Sequence, residues 1–255
     1  MNIYDLNPQA TAKPSIRVGM ITPSTNTVLE PMSYKIINGR AISLHFSRIE
    51  VTRIEKSSFG DAQFSKNKFI ESSQLLIQTN PHVVVWNGTS AAWLGMQWEK
   101  SLLQTFREIF PNHVAIVGYL ESQLAIFQAY GIKSVNLVSP YTDAIVEGII
   151  RTLQEAGIHV LNEGHLGISD NYSFAEVDSQ TIVDLALKIA HPPADAMLVI
   201  CTNLSSAPLV HYLESQLQYP VFDSLTVLLW ASLVKAGWTD SISGWGRLLE
   251  EWPNL

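Results

Sequence analysis

The sequence predicts an α/β protein of two related halves, each built on a parallel sheet, and three observations carry this. Short apolar runs alternate with helix-length amphipathic segments, the order that yields parallel strands covered on both faces. Loops of similar type recur at nearly equal spacing, since Pro23 to Gly88 is close in length to Pro140 to Cys201, as a duplicated α/β unit requires. Chance similarity between two βαβ units is the competing explanation. An apolar content of 47% over 255 residues supplies a core for one large domain or two smaller ones.

Residues 1–15 are polar, contain Pro8 and Pro14, and have neither a basic start nor an apolar stretch. They read as a flexible N-terminal arm and not as a secretory signal. The apolar run 16–21 ends in Thr22-Pro23-Ser24, a strand followed by a loop. Similar runs predict strands over 43–47, 82–86, 114–117, 134–138, 159–161, 196–200 and 220–222. Apolar side chains at three and four spacing predict helices over 65–79, with Phe69, Leu75 and Leu76, and over 141–156, with Ile145, Ile149, Ile150 and Leu153. Segments 178–189 and 205–216 read likewise. The stretch 225–234 is strongly apolar, but Lys235 and Gly237 close it well short of the roughly 18 residues that span a bilayer, so it reads as a core helix.

The expected halves are 16–118 and 119–224, the second carrying Cys201, with residues 225–255 packing back on the first. Ligands bind outside the carboxyl ends of parallel strands. The loops at Pro23, Gly88, Pro140 and Cys201 therefore face one another across a central cleft.

Composition narrows the function. Charged residues are only 15%, the net charge is −7, and no Lys/Arg cluster stands beside aromatics, which argues against nucleic acid as a partner. Nothing marks a membrane partner either. The lone cysteine forbids an internal disulfide, which fits a reducing, cytoplasmic location. The seven histidines show no ligand spacing, so no metal is expected. No G-x-G-x-x-G, G-K-[ST] or G-x-S-x-G occurs, so dinucleotide, nucleoside triphosphate and serine-hydrolase chemistry lack their signs.

Cys201 follows an apolar strand and precedes Thr202, Asn203 and an expected helix, a place where N–H groups and a helix terminus lower a thiol pKa. A free cysteine is equally at home as inert packing. Gly88-Thr89-Ser90 offers two hydroxyls and backbone N–H groups to an oxyanion; the plainer alternative is an ordinary N-cap. Pro23-Ser24-Thr25-Asn26-Thr27 is dense in neutral hydrogen-bonding groups that can hold a carboxylate, or it is simply a turn. Tyr141 can donate to an oxyanion, and Thr142 or Asp143 can cap the next helix. Ser169-Asp170-Asn171-Tyr172 is a further polar loop. Trp86, Trp93 and Trp98 read as core or cleft wall.

Taken together, Pro23-Ser24-Thr25-Asn26-Thr27, Gly88-Thr89-Ser90, Ser139-Pro140-Tyr141, Asp170-Asn171 and Cys201-Thr202-Asn203 resemble, in order and spacing, the aspartate/glutamate racemase superfamily. The likeness is greatest to the branch of maleate cis-trans isomerases and arylmalonate decarboxylases and covers about residues 16–250. It implies two pseudo-symmetric, flavodoxin-like halves with a cofactor-free active site between them. The isomerases use a cysteine from each half, and their first falls on Gly88 here. The decarboxylases carry glycine there, followed by Thr-Ser, and keep only the second cysteine. Asn26 and Asn171 resemble carboxylate ligands of the isomerases, whereas Thr202 stands where the decarboxylases have a second glycine.

The resemblance implies catalysis by Cys201, Tyr141, Thr89 and Ser90, with Pro23, Ser24, Asn26, Gly88, Asn171, Thr202 and Asn203 binding a small carboxylate. The expected reaction is decarboxylation through an enediolate that Cys201 protonates from one face. An isomerase or racemase using another second base is the first alternative, and a non-catalytic dicarboxylate binder the second. The expected assembly is a monomer or a homodimer.

Overall fold

A computed structural model describes residues 15–251. The arm expected over 1–15 lies outside the described residues except for Ser15, as do residues 252–255. Two four-stranded, wholly parallel sheets form the frame. The first contains β1 (Ile16–Pro23), β2 (Ile42–Ile49), β3 (Val83–Trp86) and β4 (Ala115–Val117), in the order β2-β1-β3-β4. The second contains β5 (Ser134–Ser139), β6 (His159–His165), β7 (Ala196–Val199) and β8 (Val221–Asp223), in the order β6-β5-β7-β8. Each order places the first strand of its sheet beside the second and third, so the two sheets repeat one topology.

Burial explains the strand composition. Val83, Val84 and Val85 are inaccessible, as are Ala196 to Val199, because helices cover both faces of each central strand. The helices are α1 (Leu29–Ile37), α2 (Ser58–Ala62), α3 (Lys66–Leu76), α4 (Ala91–Leu94), α5 (Met96–Ile109) and α6 (Tyr119–Tyr130) around the first half of the chain. In the second half they are α7 (Asp143–Glu155), α8 (Ser179–Lys188), α9 (Val210–Leu217), α10 (Ser224–Lys235) and α11 (Arg247–Glu250). α10 is buried along nearly its whole length and lies against β4, β3 and β1. Its partner in the pseudo-symmetry is α6, whose Phe127 and Tyr130 rings meet Phe222 of β8 at 6.0 and 5.4 Å. The helix after the last strand of each sheet thus crosses to the other sheet and ties the two together. Among the described residues no helix is long and apolar enough to cross a membrane.

Two expected helices are shorter in the structure. The helix expected over 65–79 ends at Leu76 and tightens into a 3-10 turn, because Asn80 takes a left-handed conformation just before Pro81. The helix expected over 205–216 starts only at Val210. Residues 202–206 form turns and Ala207–Leu209 a 3-10 turn that Ser206 opens, while the Ser206 hydroxyl donates to the Asp223 carboxylate at 2.5 Å. The change matters for chemistry, because no helix N-terminus lies directly after Cys201.

Candidate active site

The carboxyl ends of β1, β3, β5 and β7 converge. Pro23 closes β1, Gly88 follows β3, Tyr141 follows β5 and Cys201 follows β7, and all four line one cavity between the sheets. Thr89, Ser90, Asn171, Thr202 and Asn203 also line it. Of the residues expected at the site, Ser24 and Asn26 stand behind the wall. Ser24 Oγ accepts from Val51 N at 3.2 Å. Asn26 Oδ1 accepts from Val28 N and Leu29 N at 3.1 and 2.9 Å where the chain enters α1, while its side-chain amide donates to Thr202 Oγ1 at 3.2 Å. The remaining wall is apolar: Val51 and Ile54 from the segment after β2, Phe64 from the turn before α3, and Trp86 from β3.

No carboxylate, ammonium, guanidinium or imidazole lines the cavity among the described residues. Its polar groups are neutral and already bonded to one another across the halves. Thr89 Oγ1 and Tyr141 Oη are 2.8 Å apart. Asn171 donates to Thr25 Oγ1 at 2.6 Å. Asn203 donates to the Asn171 carbonyl at 2.6 Å and accepts from Thr27 N at 3.0 Å, while Thr202 Oγ1 donates to the Asn87 carbonyl at 3.1 Å. The cavity is small, about 20 Å³, of the order that holds one water.

Cys201 is 2% exposed, and burial pushes its thiol up to about 12 from an ordinary 9.0. The expectation of a lowered thiol pKa is therefore overturned. A hydrogen bond from Tyr141 and the N–H groups of Asn203, at 3.4 Å, and Leu204 favour the thiolate, but desolvation outweighs them. Burial likewise pushes Tyr141 well above its ordinary value, so its phenol remains a proton carrier at neutral pH. With Tyr141 donating to sulfur, Thr89 donates to Tyr141. The arrangement is a hydroxyl relay ending on a protonated thiol.

Ser90 sits at the N-cap of α4 but makes no capping bond; its hydroxyl accepts instead from Trp86 Nε1 at 2.9 Å. The N-cap alternative for Thr89 and Ser90 thus gives way to roles in the cavity wall. Neither candidate caps α7. Thr142 makes no side-chain capping bond, and the Asp143 carboxylate meets His165 Nε2 at 2.6 Å. Trp93 packs on Tyr141 with ring centroids 5.4 Å apart, and Trp98 lies outside the cavity against Phe64 and Phe69. Val51, Ile54 and Phe64 were not legible as site residues, because they come from an irregular stretch with no periodicity. Among the described residues no cluster of His, Cys, Asp and Glu is suited to a metal.

Residues 18–249 match the protein-family model described as arylmalonate decarboxylase. The chain belongs to the arylmalonate decarboxylase family. A maleate isomerase of Pseudomonas putida (strain KT2440) is 22% identical over 245 residues, 91% of this chain and 96% of the relative. The arylmalonate decarboxylase of Bordetella bronchiseptica is 29% identical over 127 residues, 49% of this chain and 53% of the relative. The fold is also that of a Nocardia farcinica maleate cis-trans isomerase solved with a covalently bound succinylcysteine intermediate. That structure matches with a TM-score of 0.83 at 19% identity, over 92% of this chain and 98% of its own. The family thus includes enzymes named for decarboxylation and relatives named for isomerisation.

Proposed function

We propose that this chain is a cofactor-independent decarboxylase of small malonic-type acids, with Cys201 as the proton donor. One observation carries the reading: a buried, protonated thiol faces the cavity from one half, while the equivalent position in the other half is Gly88, backed by an indole. Loss of CO₂ from a malonate breaks a C–C bond and leaves its electron pair in the second carboxyl as an enediolate, so the substrate is its own electron sink. Thr89, Ser90, Tyr141 and N–H groups near Thr202 then stabilise the enediolate. Such donors are typically worth about 3 kcal/mol each. The apolar wall of Val51, Ile54 and Phe64 desolvates the departing carboxylate and so favours its release as neutral CO₂. Cys201 gives its proton to the α-carbon, and water restores the thiol. With one donor the product is a single enantiomer.

A second reading is isomerisation of a cis-dicarboxylate. The amides Asn171 and Asn203 in the wall suit a second carboxylate, and the Nocardia enzyme shows that a cysteine adduct forms on this fold. Addition needs a thiolate, which burial of Cys201 disfavours. Incubation in D₂O with methylmalonate, phenylmalonate, maleate and aspartate, followed by NMR, separates the two. Decarboxylation gives an acid with one deuterium at the α-carbon and one configuration, whereas isomerisation gives fumarate. Cys201→Ala is expected to lower turnover by about 10²- to 10⁴-fold, the usual range for a general acid, with an unchanged circular dichroism spectrum. A variant retaining near wild-type rate would sink the assignment.

A further inference from the structure

Gly88 has an ordinary negative-φ backbone, so conformation alone does not demand glycine there. Space does. A Cβ at position 88 would stand 2.3 Å from Trp86 Cζ2 and 2.4 Å from Cε2, inside contact distance. The indole therefore lies in the volume that a side chain at position 88 would use, in the wall of the cavity that Cys201 also lines. It is held there from three directions. Its Nε1 donates to Ser90 Oγ at 2.9 Å, and its ring meets Phe69 and Phe64 edge-on at 5.0 and 6.4 Å. Trp86 is 3% exposed, so no outward movement into solvent is open to it without breaking that packing.

We propose that Trp86 is the specificity-determining residue of this site: its indole occupies the Gly88 face and restricts the chain to acids whose α-substituent is no larger than about a methyl group. This rests on the reading that a small acid binds beside Cys201, and it adds a size limit to that reading. A bound acid places its α-carbon between Cys201 and Gly88. Any bulky group directed away from the thiol toward Gly88 meets the indole, which already fills the space beside that residue. A discrimination of tenfold or more is the ordinary consequence of a pocket that lacks space for added carbon.

The test measures binding of propionate and phenylacetate, the products of methylmalonate and phenylmalonate loss of CO₂, by calorimetry to the wild type, Trp86→Leu and Trp86→Phe. Neither ligand can turn over by decarboxylation, so the readout does not depend on the reaction. The wild type is expected to favour propionate by at least tenfold. Trp86→Leu should shift the ratio toward phenylacetate by at least tenfold, and Trp86→Phe by less. Loss of the bond to Ser90 affects both ligands and cancels in the ratio; Trp86→Phe serves if Trp86→Leu does not fold. A wild type that binds both acids alike, a ratio unmoved in the folded variants, or no binding of propionate would overturn the proposal. Size discrimination in a protein that releases no CO₂ from any malonate would overturn the decarboxylase reading and leave this one standing.

Discussion

The state of Cys201 is open to direct chemical measurement, because it is the only thiol in the chain. Burial raises its pKa from 9.0 to about 12. At any pH below both values the thiolate fraction is therefore lower than in a free cysteine by about a thousandfold, one decade per unit. A thiolate of higher pKa is also more nucleophilic, with a Brønsted slope of about 0.4–0.5, which returns a factor of about 20. The net expectation is reaction with an aromatic disulfide reagent about 50-fold slower than for the denatured chain, before any steric barrier to reaching the buried sulfur is added. The logarithm of the rate should rise by one per pH unit from pH 6 to 10 with no plateau. Stopped-flow absorbance on native and urea-denatured protein gives both numbers. A plateau with a midpoint below 9 would show a stabilised thiolate, refute the desolvation argument, and favour a nucleophilic role over proton donation.

Two further predictions concern the frame around the thiol. Asp223 is inaccessible and burial raises its carboxyl from 3.8 to about 6. A group raised in the folded state adds stability that is complete below the unfolded pKa and is lost as pH rises through the folded one, here between about pH 4 and 6, by about 3 kcal/mol. Urea midpoints from pH 4 to 7 should therefore fall for the wild type relative to Asp223→Asn, and parallel profiles would contradict this. Gly88→Ala should cost about 1–3 kcal/mol through overpacking against Trp86. Most of that cost should vanish in the Trp86→Leu background, and strict additivity in the double-mutant cycle would show that the two side chains do not compete for space.

Much of the frame was legible from pattern. Val83 to Trp86 and Ala196 to Val199 are continuous apolar runs because helices cover both faces of their sheets, and such burial leaves an unmistakable sequence trace. The same pattern brought Pro23, Gly88, Tyr141 and Cys201 to the carboxyl ends of strands, where the structure gathers them around one cavity. Long apolar α10 was readable as core for the same reason. The segment from Val51 to Phe64 was not. Its course is set by side-chain clamps such as Gln63, whose carbonyl accepts from Thr52 N and Arg53 N at 2.7 and 3.2 Å, and such clamps have no period. The start of α9 was misplaced because the chain first makes the 3-10 turn Ala207–Leu209, opened by Ser206, whose hydroxyl is committed to Asp223.

The sequence by itself determined the layered α/β frame, the recurrence of its loops, and the asymmetry of one cysteine set against one glycine. These follow from periodicity and identity, which are properties of the chain taken in order. Tertiary structure alone decided the protonation of Cys201 and the meaning of Gly88. Placing the thiol after a strand suggested an activated sulfur, but desolvation depends on what surrounds it in space, and there it outweighs the donors of the following turn. Gly88 looked like a missing catalytic group; the structure shows an indole filling its place. Both outcomes depend on how many atoms from distant segments share one small volume, a quantity that no local pattern encodes.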